Sequence, residues 1–328
     1  MRRIPLLVAV VVLGLGLTAF PRYLVSRTAI TQDFVHFESA HVHPAVLTPD
    51  GNRLLVVNTP DNRLSVFDVT GPHPTRIAEI PVGLEPVSVA ALDDNTAWVV
   101  NNLSDDVSVV DLTTMHVSAT LHVGDEPNDV VFAGSPRRAY VSVSQEDRIR
   151  VYDPTNLAAA PLDIPIYGRY PRSLAANAAG TFVYVAAFFA GNRTSVLSFQ
   201  EVSPDSQPQD PSFPRDPQLT VDHGTAPQVG LIVQQQGDDW RDMYGKLWNH
   251  RIKYAQEDVD VAEIPTDGSS PSRTFDGLGA VNFAIAVSPT DGGLAVASTE
   301  ARNLLRFEPR LRGHVVDISP KFVMVEVS

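Results

Sequence analysis

What most constrains this chain is a period. Four segments align with one another: HPAVLTPDGNRLLVVNTPDNRLSVFDV from His43, EPVSVAALDDNTAWVVNNLSDDVSVVDL from Glu85, EPNDVVFAGSPRRAYVSVSQEDRIRVYDP from Glu126 and YPRSLAANAAGTFVYVAAFFAGNRTSVLSF from Tyr170. Their shared prolines, Pro44, Pro86, Pro127 and Pro171, lie 42, 41 and 44 residues apart, and the closing aspartates Asp68, Asp111 and Asp153 keep the step. A fifth copy, AIAVSPTDGGLAVASTEARNLLRFE from Ala284, follows a long interruption. A unit of this length cannot bury its apolar face alone, so successive units must stack on one another.

Within a copy, short Val-rich runs are separated by turn residues: Leu54 to Val57, then Thr59 to Asn62, then Leu64 to Phe67, which reads as strand, hairpin, strand. Asp50-Gly51 supplies a tight turn before the second strand, because glycine accepts positive φ without a clash. A fourth strand follows in the spacer, as in Arg76 to Ile80 or Val117 to Val123. The expected fold is all-β: a β-propeller of four-stranded antiparallel blades, with about five blades countable and the ring incomplete or barely closed. Blades are expected near 43–81, 85–123, 126–166, 170–264 and 282–328, inside a repeat region spanning 34–328.

The second strand, Trp98-Val99-Val100-Asn101, is followed by SDDVSVVD and has counterparts at Leu55 to Asn58, Tyr140 to Val143 and Tyr184 to Ala187. In these residues the chain resembles the YVTN-type β-propeller repeat family of exported bacterial and archaeal proteins, including surface-layer-like repeats. The resemblance implies a propeller and an exported protein. It does not imply a reaction, since propellers host binding, scaffolding and unrelated chemistries.

The N-terminus points the same way. Arg2 and Arg3 precede an apolar run from Ile4 to Phe20, so 1–24 is expected to be a signal peptide or an uncleaved membrane anchor and the remainder extracytoplasmic: periplasmic, secreted or at the cell surface. With no cysteine there are no disulfides, no thiol nucleophile and no covalently attached c-type haem. A net charge of −13 opposes nucleic acid and anionic membrane surfaces, leaving the N-terminal segment as the membrane contact.

Between Phe199 and Ala280 the period breaks, giving an insertion at about 200–258. The stretch SPDSQPQDPSFPRDPQ is expected to be an extended loop, and Asp258 to Ile264 the delayed fourth strand of the fourth blade. Trp240, Tyr244, Trp248 and Ile252 fall at helical spacing, although Gly245 weakens a helix there. Trp240 and Trp248 either anchor the insertion or form a partner hot spot. Either Phe34 to Phe37 or Phe322 to Val327 completes the last sheet, or the stack stays open and associates with another copy or a partner.

No HExxH, GxSxG, Walker loop or helix-opening GxGxxG occurs. Equivalent positions in successive blades occupy equivalent heights, so His43, Glu85, Glu126 and Tyr170, just before the shared prolines, are expected to ring one rim of the channel as a ligand-binding set. His43, Glu85 and Glu126 could hold a divalent cation; no other cofactor is expected. The alternative is that these side chains satisfy the backbone of their own loops. Trp98, Tyr140 and Tyr184 are read as core aromatics, and Asn58 and Asn101 as partners of the hairpin turn that follows. Three functional expectations follow: a non-catalytic scaffold binding a protein or cell-envelope component, a metal-dependent lactonase-like hydrolase at the channel mouth, and a structural surface-layer repeat.

Overall fold

Alternation along each Val-rich run puts every second residue on a face that only a neighbouring repeat can cover, and the chain folds accordingly. The computed structural model describes residues 39–205, 230–256, 258–299 and 322–327, all within the unit Glu38–Ser328. The first repeat forms β1 (Ala45–Leu47), β2 (Arg53–Asn58), β3 (Arg63–Asp68) and β4 (Thr75–Pro81), hydrogen-bonded in that order. The second forms β5 (Pro86–Ala91), β6 (Thr96–Asn101), β7 (Asp106–Asp111) and β8 (His116–His122), and the third β9 (Pro127–Ala133), β10 (Arg138–Val143), β11 (Arg148–Tyr152) and β12 (Leu162–Pro165). In the fourth, β13 (Arg169–Ala176) and β14 (Phe182–Phe189) pair, and the chain then leaves the blade. It builds a separate sheet from β15 (Thr194–Leu197), β16 (Leu231–Gln236) and β17 (Asp239–Arg241), and returns as β18 (Val261–Pro265) and β19 (Arg273–Phe275). The fifth sheet holds β20 (Val281–Val287), β21 (Leu294–Thr299) and β22 (Phe322–Val327).

The architecture is an all-β propeller of antiparallel blades. Strands β1, β5, β9, β13 and β20 lie side by side along the inner edge, each touching the next. Each interface between blades has its own core. Leu55, Val57 and Val66 meet Val89, Val99 and Leu112; Trp98 and Val109 meet Val130 and Tyr152; Tyr140 and Ile149 meet Leu174 and Val185; Tyr184 and Val261 meet Ile285 and Val296. Trp98, Tyr140 and Tyr184 are thus equivalent core aromatics, and Trp98 stands edge-on to Phe132 and Tyr152 at 5.7 and 6.1 Å. Among the described residues, strands of the first and fifth sheets do not pack together, and the series of blades is open.

Three expectations change. Val261–Pro265 is the third strand of the fourth blade, paired with β14, so the insertion splits that blade between its second and third strands. Phe322–Val327 pairs with β21 as a third strand of the fifth sheet and closes no ring. No helix forms over 240–252: Trp240 lies in β17, and Asp242 captures the N–H groups of Tyr244 and Lys246 at 2.9 and 3.1 Å, a local turn that competes with helix, while Gly245 takes φ 83°. The expected signal segment, the alternative closing strand Phe34 to Phe37, and most of the proline-rich loop lie outside the described residues. Among the described residues no helix is long and apolar enough to cross a membrane.

Polar latches fix one blade to the next. The hairpins between second and third strands hold Asn62, Asp105 and Asp147 at φ 56°, 59° and 49°, and the loops leading to the following inner strand hold Glu85, Glu126 and Tyr170 at φ 53°, 51° and 60°. Asn62 Oδ1 accepts the Glu85 N–H at 2.8 Å, Asp105 Oδ1 that of Glu126 at 3.1 Å, and Asp147 Oδ1 that of Tyr170 at 2.7 Å. In the fourth blade Asp260 accepts the Leu278 N–H at 2.9 Å. A second set runs beside it: Thr59 donates to the Pro86 carbonyl at 2.7 Å, Asn102 to that of Pro127 at 3.1 Å and Ser144 to that of Pro171 at 2.6 Å.

Asp147→Ala removes a latch acceptor and puts a β-carbon without a polar group in the left-handed region, so it should cost about 2–4 kcal/mol in urea unfolding. Asp147→Asn keeps both features and should stay within about 1 kcal/mol of wild type. Equal losses in the two variants would contradict the latch.

Candidate functional site

At the rim, inner strands depart from regular pairing. Register shifts fall between Pro86 and Ser88, Pro171 and Ser173, and Asn282 and Ala284, with a matching shift opposite Pro127 and Asp129. A bulge inserts one residue and re-aims its side chain. In β13 that residue is Arg172. Its Nη2 donates to the carbonyls of Ala40 and His41 at 2.6 and 3.3 Å, and its guanidinium lies 5.0 Å from the Phe188 ring centroid. Its Nε is buried without an acceptor. Burial holds the guanidinium below its usual pKa, against the charges of Tyr170 and Asp129.

The segment before β1 runs beside the second blade's inner strand: Val42 N–H donates to Val87 O at 3.0 Å and Val89 N–H to His43 O at 2.9 Å. This places His43 Nδ1 2.8 Å from Asp129 Oδ2. Asp129 is fully buried, while the His43 side chain is 40% exposed. The Asp129 carboxylate also accepts from Ser88 Oγ at 2.6 Å, Val130 N–H at 2.9 Å and Leu174 N–H at 2.7 Å, so one group holds three blades and orients a ring facing solvent. The charge of Asp129, then its hydrogen bond, raises the His43 pKa above 6.5, with desolvation opposing.

The remaining rim residues pair off. Tyr170 donates its hydroxyl to Glu126 Oε2, an oxygen that also accepts from Gln145 Nε2 at 3.1 Å. Burial, followed by the hydrogen bond and charge of Glu126, pushes the Tyr170 hydroxyl up to about 12. Glu85 accepts from Ser39 N–H and Oγ at 3.1 and 2.6 Å. Glu85, Glu126 and Tyr170 share a left-handed backbone in the leading loops, and His43, Glu85 and Glu126 each engage a different protein group. They do not converge as the expected cation set, and among the described residues no three His, Asp or Glu side chains are grouped to hold a metal ion.

Two residues that sequence reasoning missed complete the site, Asp129 and Arg172. The alignment of repeats carries the signal for Asp129, which stands where the second and fourth blades have Ser88 and Ser173. Trp240 and Trp248, read either as anchors of the insertion or as partner contacts, are buried with Leu197, Leu231, Val233 and Ile252 in the insertion's own core. Their indole N–H groups are taken by Tyr254 O at 3.0 Å and Asp242 Oδ2 at 3.1 Å, so neither ring offers a docking surface. Asn58 bonds the turn after it, to Asp61 at 2.9 Å, as expected, whereas Asn101 donates across the hairpin into β7, to Asp106 at 2.7 Å and Ser108 at 2.9 Å.

A family model described as "Lactonase, 7-bladed beta-propeller" matches residues 28–203, more than half of the chain. No curated protein matches the sequence. Similar solved structures include hydrazine synthase of Kuenenia stuttgartiensis, at 18% identity over 80% of this chain and 76% of that one, with TM-score 0.45. A functionally unknown protein from Desulfotomaculum acetoxidans DSM 771 is similar at 10% identity over 80% and 64%, with TM-score 0.47. The β-propeller domain of Cps50 (Swd1) from Myceliophteria thermophila is similar at 13% identity over 80% and 69%, with TM-score 0.46.

A histidine whose folded pKa is raised stabilises the fold fully below its unfolded value, about 6.5, and loses that contribution as pH rises through the folded value. The stability lost in His43→Ala, measured by urea unfolding, should therefore be larger near about pH 5.5 than near about pH 9. A difference that does not change with pH would contradict the ion pair.

Proposed function

The chain belongs to the seven-bladed lactonase β-propeller family, and on that premise we propose that it hydrolyses a cyclic ester at the rim cluster of His43, Asp129 and Arg172. One observation carries the reading: a fully buried carboxylate orients a solvent-facing imidazole, within the segment that the family model matches. With Nδ1 held by Asp129, Nε2 of His43 is the nitrogen left to take a proton from attacking water. As the water oxygen bonds to the ester carbon, Arg172 supplies positive charge for the developing oxyanion. Collapse breaks the ring C–O bond, and the leaving alkoxide takes the proton back from His43, giving a hydroxy acid. Unlike a metal hydrolase built on His43, Glu85 and Glu126, this route asks nothing of the two glutamates, which hold Ser39 and Tyr170.

A second reading, a non-catalytic propeller that docks a partner outside the cytoplasm, is favoured by the open series of blades. Leu47 and Ile77 are 51% and 49% exposed on the first sheet, and Ala295 and Ala297 are exposed on the fifth. Its occupant would be a second copy of this chain, covering apolar faces that adjacent blades cover elsewhere.

Proton release from five- and six-membered lactones should exceed the buffer rate with wild type and fall by about 100-fold or more in His43→Ala. Chelator should leave that rate unchanged; hydrolysis at the buffer rate, or a rate indifferent to His43, would sink the catalytic reading. Under the second reading, sedimentation velocity should show a concentration-dependent dimer, and a monomer at all concentrations would remove it.

A further inference from the structure

A separate polar cavity lies where the insertion leaves and re-enters the fourth blade. Asn192, Arg193, Gln234, Gln235, Asp258 and Gly277 line about 180 Å³ of space, and an adjoining cavity of about 360 Å³ shares Asn192 and Arg193. The Asp258 side chain is only 5% exposed. Its Oδ2 accepts the Gly277 N–H at 3.2 Å and lies 3.4 Å from Arg193 Nε, but its Oδ1 is buried with no hydrogen-bond partner. Arg193 Nε is likewise buried without an acceptor in hydrogen-bond geometry, while Nη2 of the same guanidinium is bound to Asp276.

An acceptor with no donor, Asp258 Oδ1, therefore stands beside a guanidinium Nε that meets Asp258 Oδ2 as an ion pair at 3.4 Å but makes no hydrogen bond. Leaving either group unmatched in a buried site costs roughly 1–3 kcal/mol, so such pairs point to something that fills them. A hydroxyl does both at once, donating to Asp258 Oδ1 and accepting from Arg193 Nε. A metal ion or ammonium group could meet the carboxylate but has no acceptor to offer the guanidinium, and an anion would meet Asp258, Asp260 and Asp276 together. The flanking amides are already fixed: Gln234 Nε2 donates to Asn192 O at 2.8 Å, and Gln235 Oε1 accepts the Gln256 N–H at 2.8 Å. The volume is below the roughly 300–1,000 Å³ of clefts for drug-sized ligands, which suits a single ring.

We infer that the cavity between Asp258, Arg193 and the insertion's Gln234 and Gln235 binds a neutral polyhydroxylated small molecule, a monosaccharide or cyclitol, through one hydroxyl shared by Asp258 and Arg193. This site is separate from the His43 cluster and does not depend on the lactone reading.

The Asp258 carboxyl is pushed up to about 6 by burial and by Asp260 and Asp276, against Arg193 and the Gly277 N–H. The ionised carboxylate is the stronger acceptor, so affinity should weaken as pH falls through that value. Burial disfavours the charge, so Asp258→Asn should unfold in urea at or above the wild-type midpoint at about pH 7.5, which separates folding from binding. The probes are glucose, galactose, mannose, N-acetylglucosamine and myo-inositol, followed by saturation-transfer NMR on the full chain, with calcium chloride alone as a further arm. At least one probe should bind at about 10 mM or tighter and lose about tenfold or more in Asp258→Asn. Three results would overturn the inference: no transfer from any probe, binding indifferent to Asp258, or a shift produced by calcium alone.

Discussion

The structure depends on a hydrogen bond that no single blade can make. At three boundaries between blades, an Asn or Asp in the hairpin of one blade reaches the N–H at the start of the inner strand of the next, Asn62 to Glu85, Asp105 to Glu126 and Asp147 to Tyr170, and at the fourth Asp260 reaches Leu278 in the loop before β20. The apolar interfaces supply most of the free energy, but they are nearly interchangeable Val, Leu and Ile contacts, and burial by itself is non-directional. The latches are directional and sit at the inner edge. They fix where each blade starts relative to its neighbour, and the second set, from Thr59, Asn102 and Ser144 to the carbonyls of the shared prolines, confirms the same position one residue further on.

That arrangement determines what the rim can do. Rim positions are held in place by their backbone, and side chains at the same positions are free to vary: Glu85 engages Ser39, Glu126 engages Tyr170, and neither is directed at a common point. Asp129 is different because it lies inside the inner strand rather than before it. It takes the place of Ser88 and Ser173 and gathers donors from the second, third and fourth blades, leaving one oxygen shared with His43. A group that stabilises the stack also orients a titratable ring, so chemistry at this rim and cohesion of the blades are coupled through one carboxylate.

The repeat, the strand pattern and the core aromatics were legible in the sequence because stacking imposes the same burial at the same position in every copy. Trp98, Tyr140 and Tyr184 recur for that reason. The glutamates before the prolines were legible as a ring of positions but not as side-chain partners, since what Glu85 and Glu126 meet depends on Ser39 and Tyr170, which no period specifies. The Trp240, Tyr244, Trp248 stripe was misleading because a spacing of four is equally consistent with turns around an aspartate, and Asp242 decides for turns by holding two backbone N–H groups and the Trp248 indole. Arg172 escaped notice because a bulge shifts the facing of the residue after the proline, and nothing local marks where pairing slips.

The split fourth blade shows how new surface arises on such a frame without disturbing it. The insertion leaves between the second and third strands, where the other blades have only a hairpin, and the latch survives it because Asp260 still stands one residue before the third strand. Asp258, two residues earlier, stands where the hairpins of the first three blades have Pro60, Leu103 and Gln145. It is buried because the insertion and the loop carrying Gly277 close over it, with Arg193 as its neighbour. Its Oδ2 holds the Gly277 N–H and faces Arg193, but Oδ1 has no partner in the protein and a buried carboxylate costs desolvation, so its second oxygen makes sense in terms of what enters the cavity.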